Sequence, residues 1–254
     1  MSLPLLQYMM YAAQDRGKRE EQQDTVNSSL PELQADLGVL CVLSDGMGGL
    51  ADGARASRAV AELMVSTFHR SSIADPPEQI LLRGCCYSQQ AVRAIREETG
   101  REAGATLAAV LLRNERCSFL SAGDSRIYLF RAGTLIQLTR DQTRINRIER
   151  QIGLGRMPEE ARTDPTGNAL SFYIGKEDLD QVDRSSRSFA VIPGDRLLLV
   201  SDGVYTALPE EEMASIMTFP GESATREMIL RVIARNLPKQ DNCTAAVVDC
   251  LPAR

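Results

Sequence analysis

The sequence predicts an α+β fold, and three observations predict it. Two apolar runs, residues 37–44 (LGVLCVLS) and 196–201 (RLLLVS), have the length and composition of strands buried on both faces. Helix-periodic stretches come in pairs, over residues 54–99 and 209–237, instead of alternating one by one with strands. Between the pairs, residues 106–138 break into short β-like runs.

The elements follow in order. Residues 1–13 are fairly apolar but lack a basic start and carry Pro4 and Gln7, so they read as a first strand, not a signal peptide. The run 37–44 ends abruptly in Asp45-Gly46-Met47-Gly48-Gly49. Residues 54–68 place Ala56, Ala59, Val60, Leu63, Met64 and Thr67 at spacings of three and four, a helix with one apolar face. Pro76-Pro77 opens a second helix, because proline suits a first turn, and Gly100 stops it. Residues 106–112, 117–122, 127–130 and 134–138 then read as a meander of hairpins punctuated at 113–115, 123–124 and 132–133. Residues 143–152 are a further helix, and 153–168, rich in Gly, Pro and charge, read as a long mobile insertion. The run 196–201 ends in a second Asp-Gly, Asp202-Gly203. Residues 209–217 begin Pro-Glu-Glu-Glu, which suits a helix N-terminus, and 222–237 form an amphipathic helix. Residues 244–250 are a last strand, entered from Asp241-Asn242. With no linker or repeat, the 254 residues read as one domain, and the pattern is equally consistent with one sheet or two.

Composition closes several chemistries. There is one histidine, His69, and no tryptophan, so a paired-histidine metal site or a two-histidine mechanism is excluded for a monomer. His69 reads as a surface or packing residue. A net charge of −5 argues against nucleic acid as a partner. The six cysteines form no C-x-x-C pair and none has Arg six residues on, which excludes a zinc ribbon and a Cys-x₅-Arg phosphatase. Most sit in apolar runs and read as small core residues in a reducing compartment. No apolar run of membrane-spanning length occurs, so the expected location is the cytoplasm, with no membrane partner.

Aspartates carry the chemistry. Asp45 and Asp202 each follow an apolar strand, Asp124 follows a short one, and Asp241 precedes another. Carboxylates brought to one sheet edge repel each other unless a cation neutralises them, and all-oxygen ligands select Mg²⁺ or Mn²⁺. Taken singly, each Asp-Gly is as well explained as a turn that ends a strand.

Six stretches, in order, make the chain resemble the metal-dependent protein serine/threonine phosphatases of the protein phosphatase 2C type, in their bacterial single-domain form. They are Arg19-Glu-Glu-Gln-Gln-Asp24, Ser44-Asp-Gly-Met-Gly-Gly49, Gly104-Ala-Thr106, Gly123-Asp-Ser-Arg126, Leu197-Leu-Leu-Val-Ser-Asp-Gly203 and Asp241-Asn-Cys-Thr244. The resemblance implies a four-layer α-β-β-α sandwich, two mainly antiparallel sheets flanked by helix pairs. It implies that Asp45 bridges two metals, that the Gly46 carbonyl ligates the second, and that Asp202 and Asp241 complete the first. Asp124 with Asp202 matches a pair holding a third metal, Asp24 is a neighbouring or ligating carboxylate, and Arg19 grips the substrate phosphate. The cofactors implied are two or three Mn²⁺ or Mg²⁺ ions. The reaction implied is hydrolysis of phosphoserine and phosphothreonine on proteins by a metal-bridging hydroxide, opposite a serine/threonine kinase. Residues 144–168 would form a flap beside the site.

Two positions depart from the pattern. Gln23 stands where many relatives have Glu, removing a charge while leaving an oxygen for a metal-bound water. Met47 stands where eukaryotic relatives place a histidine acid. The alternative function is a catalytically silent phosphatase-like module that binds a partner protein; loss of a core aspartate would signal it, and Asp45, Asp202 and Asp241 are all present. Two weaker motifs compete: residues 46–51 fit a dinucleotide-binding fingerprint, and Asp178-Leu-Asp180-Gln-Val182 fits a haloacid-dehalogenase nucleophile motif, although neither stands in the required strand context.

Overall fold

The computed structural model describes residues 6–47, 52–176, 179 and 181–253. The chain begins with strands β1 (Leu6–Asp15) and β2 (Asp24–Ser28), a short helix α1 (Gln34–Leu37) and strand β3 (Val39–Asp45). Helices α2 (Gly53–His69) and α3 (Pro77–Thr99) follow, then strands β4 (Leu107–Arg113), β5 (Arg116–Ala122), β6 (Arg126–Arg131) and β7 (Thr134–Gln137). Helix α4 (Arg144–Gly153) precedes the two-residue strands β8 (Asp183–Arg184) and β9 (Phe189–Ala190). The chain closes with β10 (Arg196–Val200), α5 (Asp202–Tyr205), α6 (Glu210–Ile216), α7 (Gly221–Ala234) and β11 (Cys243–Pro252).

The strands form two sheets, ordered β1-β11-β10-β6-β7 and β2-β3-β4-β5-β8, with β9 also on β5. Among the described residues every named strand pair is antiparallel.

Side-chain alternation explains the layering. On β3, Val39, Cys41 and Leu43 face the other sheet, while Leu40 and Val42 face α2 and α3. On β4, Ala108, Val110 and Leu112 point inward and Leu107, Ala109 and Leu111 outward to the same helices. On β10, Leu197 and Leu199 join the inter-sheet core, while Leu198 and Val200 pack beneath α6 and α7 with Met213, Met228 and Val232. Three apolar layers therefore separate four structural ones, and the expected α-β-β-α sandwich is the observed fold. Strands covered on both faces cannot show the apolar/polar alternation of a half-exposed strand, which is why these runs are continuously apolar.

One expectation needs correction. The run 106–138 is not one meander: β4–β5 is a hairpin of one sheet and β6–β7 a hairpin of the other. The chain changes sheets across Gly123-Asp124-Ser125, a connection so short that it reads as an ordinary hairpin turn. The stretch 153–168, expected as an insertion, has some local structure. It contains a 3₁₀ turn, Glu159–Thr163, tied to α4 by ion pairs from Arg162 to Glu149 and from Arg144 to Asp164.

Candidate metal centre

Antiparallel pairing brings one end of each strand to a shared edge. The C-termini of β3, β5 and β10 and the N-termini of β2, β4, β6 and β11 all lie there. Asp45 ends β3, Asp24 begins β2, Asp202 follows β10, Asp241 precedes β11, and Asp124 sits in the crossover between sheets.

The register makes the first pair close. Asp24 stands directly opposite Asp45. The bonds Gly46 N–H to Gln23 O (3.0 Å) and Ser29 N–H to Leu40 O (2.9 Å) mark the hydrogen-bonded rungs of this ladder. Asp24 and Asp45 therefore form a non-hydrogen-bonded rung, in which Cα atoms approach to about 4.5 Å and side chains share a face. Asp24 also ties the sheets together. Its Oδ2 accepts from Ser201 Oγ and from Thr244 Oγ1, each at 2.7 Å, while its Oδ1 is buried with no partner.

The electrostatics follow from this crowding. Burial, then the charges of Asp24, Asp202, Asp124 and Asp241, push the Asp45 carboxyl well above the usual carboxylate range. Burial raises Asp24 despite its two hydroxyl donors. Asp202 is pushed up to about 7 by burial and by Asp124, Asp241 and Asp24. Asp124 is pushed up to about 6 by burial and Asp141, with Tyr205 and Arg126 pulling the other way. Oδ1 of Asp202, like that of Asp24, is buried and unpartnered. A buried anionic oxygen without a donor is costly, and a cation is the group that relieves it. Among the described residues no three acidic, thiol or imidazole side chains are drawn together as a finished cage. The arrangement is a shared acidic pocket with open lone pairs, and its all-oxygen donors fit a hard divalent cation.

Backbone packing fixes the rim. A Cβ on Gly46 would stand 2.3 Å from the Gly53 carbonyl, and one on Gly203 would stand 2.0 Å from the Asn242 carbonyl. Both Asp-Gly pairs thus need glycine for close backbone approach, beyond ending a strand. The Asp45 N–H donates to Thr106 Oγ1 at 2.9 Å, and Thr106 N–H returns to the Asp45 carbonyl at 2.8 Å.

Arg19 reaches the pocket from the β1–β2 connection. Its Nη2 lies 2.6 Å from Asp241 Oδ2, and Asp241, Asp202 and Asp45 all favour its charge. The connection is pinned by buried Asn242. Its Nδ2 donates to the carbonyls of Arg16 (2.8 Å) and Glu21 (3.0 Å), and its Oδ1 accepts from Gln23 N–H (2.8 Å). The Gln23 amide sits over the start of α2, where its Oε1 would be 3.1 Å from a Cβ on Gly53.

The structure therefore gathers Arg19, Gln23, Asp24, Asp45, Gly46, Asp124, Asp202 and Asp241 at one edge. His69 is elsewhere, at the far end of α2, where Nε2 accepts from Leu30 N–H at 3.3 Å. Gly48, Gly49, Leu50 and Ala51 of the glycine-rich stretch, and Asp178 and Asp180, lie outside the described residues. The dinucleotide reading fails on topology: α2 leads to a second helix, and no parallel strand follows among the described residues. Ser201, Thr244, Thr106, Asn242 and Tyr205 had no assigned role from sequence. All but Tyr205 lie within the quoted stretches, yet their contacts cross between elements and leave no local signal.

Comparison with known proteins agrees with this geometry. A family profile described as Protein phosphatase 2C matches residues 16–237. The chain is 30% identical over 235 residues to protein phosphatase PhpP of Streptococcus pneumoniae, covering 91% of this chain and 92% of that one. It is 28% identical over 216 residues to serine/threonine protein phosphatase PstP of Mycobacterium tuberculosis, covering 83% of this chain but 40% of that longer protein. The crystal structure of the PstP catalytic domain in complex with two manganese ions superposes with a TM-score of 0.77 at 27% identity, covering 97% of this chain and 99% of that one.

Proposed function

The chain belongs to the protein phosphatase 2C family, and on that premise we propose that it is a metal-dependent phosphatase acting on phosphoserine and phosphothreonine in proteins. The observation that carries the reading is the convergence of five mutually repelling aspartates with one arginine at one end of the two-sheet sandwich. We assign Asp45, the Gly46 carbonyl, Asp202 and Asp241 to hold two Mn²⁺ or Mg²⁺ ions. Asp124 and Asp202 would hold a third, with Asp24 beside them and Gln23 acting through a water. Bound there, the ions would lower the pKa of water and take up charge developing on the phosphoryl group.

The chain's own residues do the rest. Arg19 offers guanidinium donors to phosphate oxygens, a bidentate match of shape and charge. Asp241 and the Asn242 clamp aim it. Ser201 and Thr244 keep Asp24 turned toward Asp45. Position 47 is Met, and His69 lies sixteen residues beyond Gly53 along α2, about 24 Å at the helical rise. No imidazole is therefore in reach of the leaving alcohol, which would take its proton from water or leave as an alkoxide neutralised by a bound ion. Residues 144–168 are proposed as a flap: α4 departs just after Gln142, whose Oε1 and N–H pair with the backbone of Gly123 beside Asp124. We also place the protein in the cytoplasm, opposite a serine/threonine kinase, a setting consistent with six free cysteines.

The test is phosphate release from a phosphothreonine peptide with Mn²⁺. Turnover abolished by chelator and by Asp202→Asn is expected. Thiol alkylation should leave it intact, since burial pushes Cys41, Cys85, Cys243 and Cys250 up to about 12. A partner bound without turnover would favour the silent module instead.

A further inference from the structure

Next to the acidic pocket, the sandwich is open along one side. β1 and β2 are the outermost strands of their sheets, and between them runs a groove of about 500 Å³. Its walls are Ala12 and Ala13 of β1, Asp24 and Val26 of β2, and Ala54 and Arg58 of α2. It therefore starts at an acid of the proposed centre and ends at a cation.

The β2 wall is a backbone edge that local side chains take up only in part. In the β2–β3 ladder the hydrogen-bonded rungs fall at Gln23, Thr25, Asn27 and Ser29, so the backbone groups of Asp24, Val26 and Ser28 point away from β3. Asp24 N–H is taken by Gln22 Oε1 at 3.0 Å and Ser28 N–H by Asn27 Oδ1 at 2.8 Å. Among the described residues, the N–H of Val26 is left without a side-chain partner, midway along the groove. An outward edge with small side chains opposite is the surface to which an extended peptide adds as a strand.

Arg58 supplies the charge. It is exposed, and among the described residues it forms no ion pair, although Arg55 on the same helix pairs with Glu98. Gly53, against which Gly46 packs, lies five residues before Arg58, about 7.5 Å along the helix. An extended chain covers that distance in about two to three residues.

We propose that this seam is the docking track for the substrate's flanking sequence, with residues beside the phosphorylated side chain extended along β2 and an acidic side chain about two to four residues away paired with Arg58. The proposal rests on the phosphatase reading and specifies the substrates of that site. The cation at this end of the groove is the group an acidic flank would pair with.

The test compares phosphothreonine peptides that differ only in Asp, Ala or Lys three residues before or after the phosphorylated residue. Each enzyme's kcat/KM is normalised to its own rate on p-nitrophenyl phosphate, which has no flank. The wild-type protein should favour the Asp peptide over the Ala peptide by about fivefold, the scale of an exposed ion pair, chiefly through KM. Arg58→Ala should level the preference and Arg58→Glu should turn it toward Lys. No acidic preference in the wild type, or a preference unchanged in both variants, overturns the docking track while p-nitrophenyl phosphate turnover continues. Absence of turnover on every substrate overturns the phosphatase reading itself.

Discussion

The Arg19 guanidinium lies 2.6 Å from Oδ2 of Asp241, a residue 222 positions away in the chain. Both side chains are partly exposed, so the pair adds little to global stability. Its importance is local: a half-exposed cation leans against an acid proposed to hold a metal. Arg19→Ala should lower kcat/KM on a phosphopeptide by about tenfold to a hundredfold, the scale of a charged hydrogen bond to phosphate. Calorimetric Mn²⁺ affinity should hold or improve, because a competing positive charge leaves Asp241. Weaker Mn²⁺ binding would show that Arg19 supports the ions instead of competing with them.

Asp45→Asn should raise the melting temperature of chelator-treated protein at pH 7.5. Asp45 is the acid that all four other aspartates repel, so an isosteric neutral amide relieves the strain. The same change should abolish the Mn²⁺-induced rise in melting temperature and the phosphatase activity. A metal-free variant less stable than its parent would mean that Asp45 is held by contacts the charge does not oppose.

The metal-free protein should lose stability as pH rises from about 4 to about 7. Asp202 and Asp124 titrate near 7 and 6 in the folded chain and near 3.8 when unfolded. Between those limits the folded state binds more protons, and each rise in pH favours unfolding. The loss from these two groups runs on to about one unit above pH 7, Asp45 extends it in the same direction, and saturating Mn²⁺ should flatten the profile. Melting curves across this range, with chelator and with Mn²⁺, check the sign.

Asn242→Ala should destabilise the fold by about 2–3 kcal/mol, because two part-buried carbonyls and one N–H lose their partner together. Phosphopeptide KM should rise more than the Mn²⁺ dissociation constant, since the clamp holds the connection carrying Arg19. Asn242→Asp keeps the acceptor but sets a carboxylate oxygen against both carbonyls, and should cost more than Asn242→Ala. Denaturant midpoints and steady-state kinetics separate these effects.

Much of the fold was legible where burial was complete. β3, α2 and α3 fall within a residue or two of expectation, because continuous apolar runs and a proline-to-glycine helix leave strong local marks. β2 was not anticipated. Its sequence, DTVNS, is polar, and an edge strand needs only one good partner. The crossover at Asp124 was hidden because a change of sheet is decided by partners far away in sequence. For the site, each acid was visible as the end of a strand, but the Ser201 and Thr244 contacts that orient Asp24 depend on strands from opposite sheets. Such contacts have no spacing to read.

The placement of Asp24 opposite Asp45 has an evolutionary consequence. Successive residues of a strand face opposite ways, so adding or deleting one residue within β2 would swing its acid to the wrong side. Only even-numbered changes keep that parity. Length variation among descendants of this chain should therefore collect in the connector 29–38, where it costs least, and spare the five residues of β2.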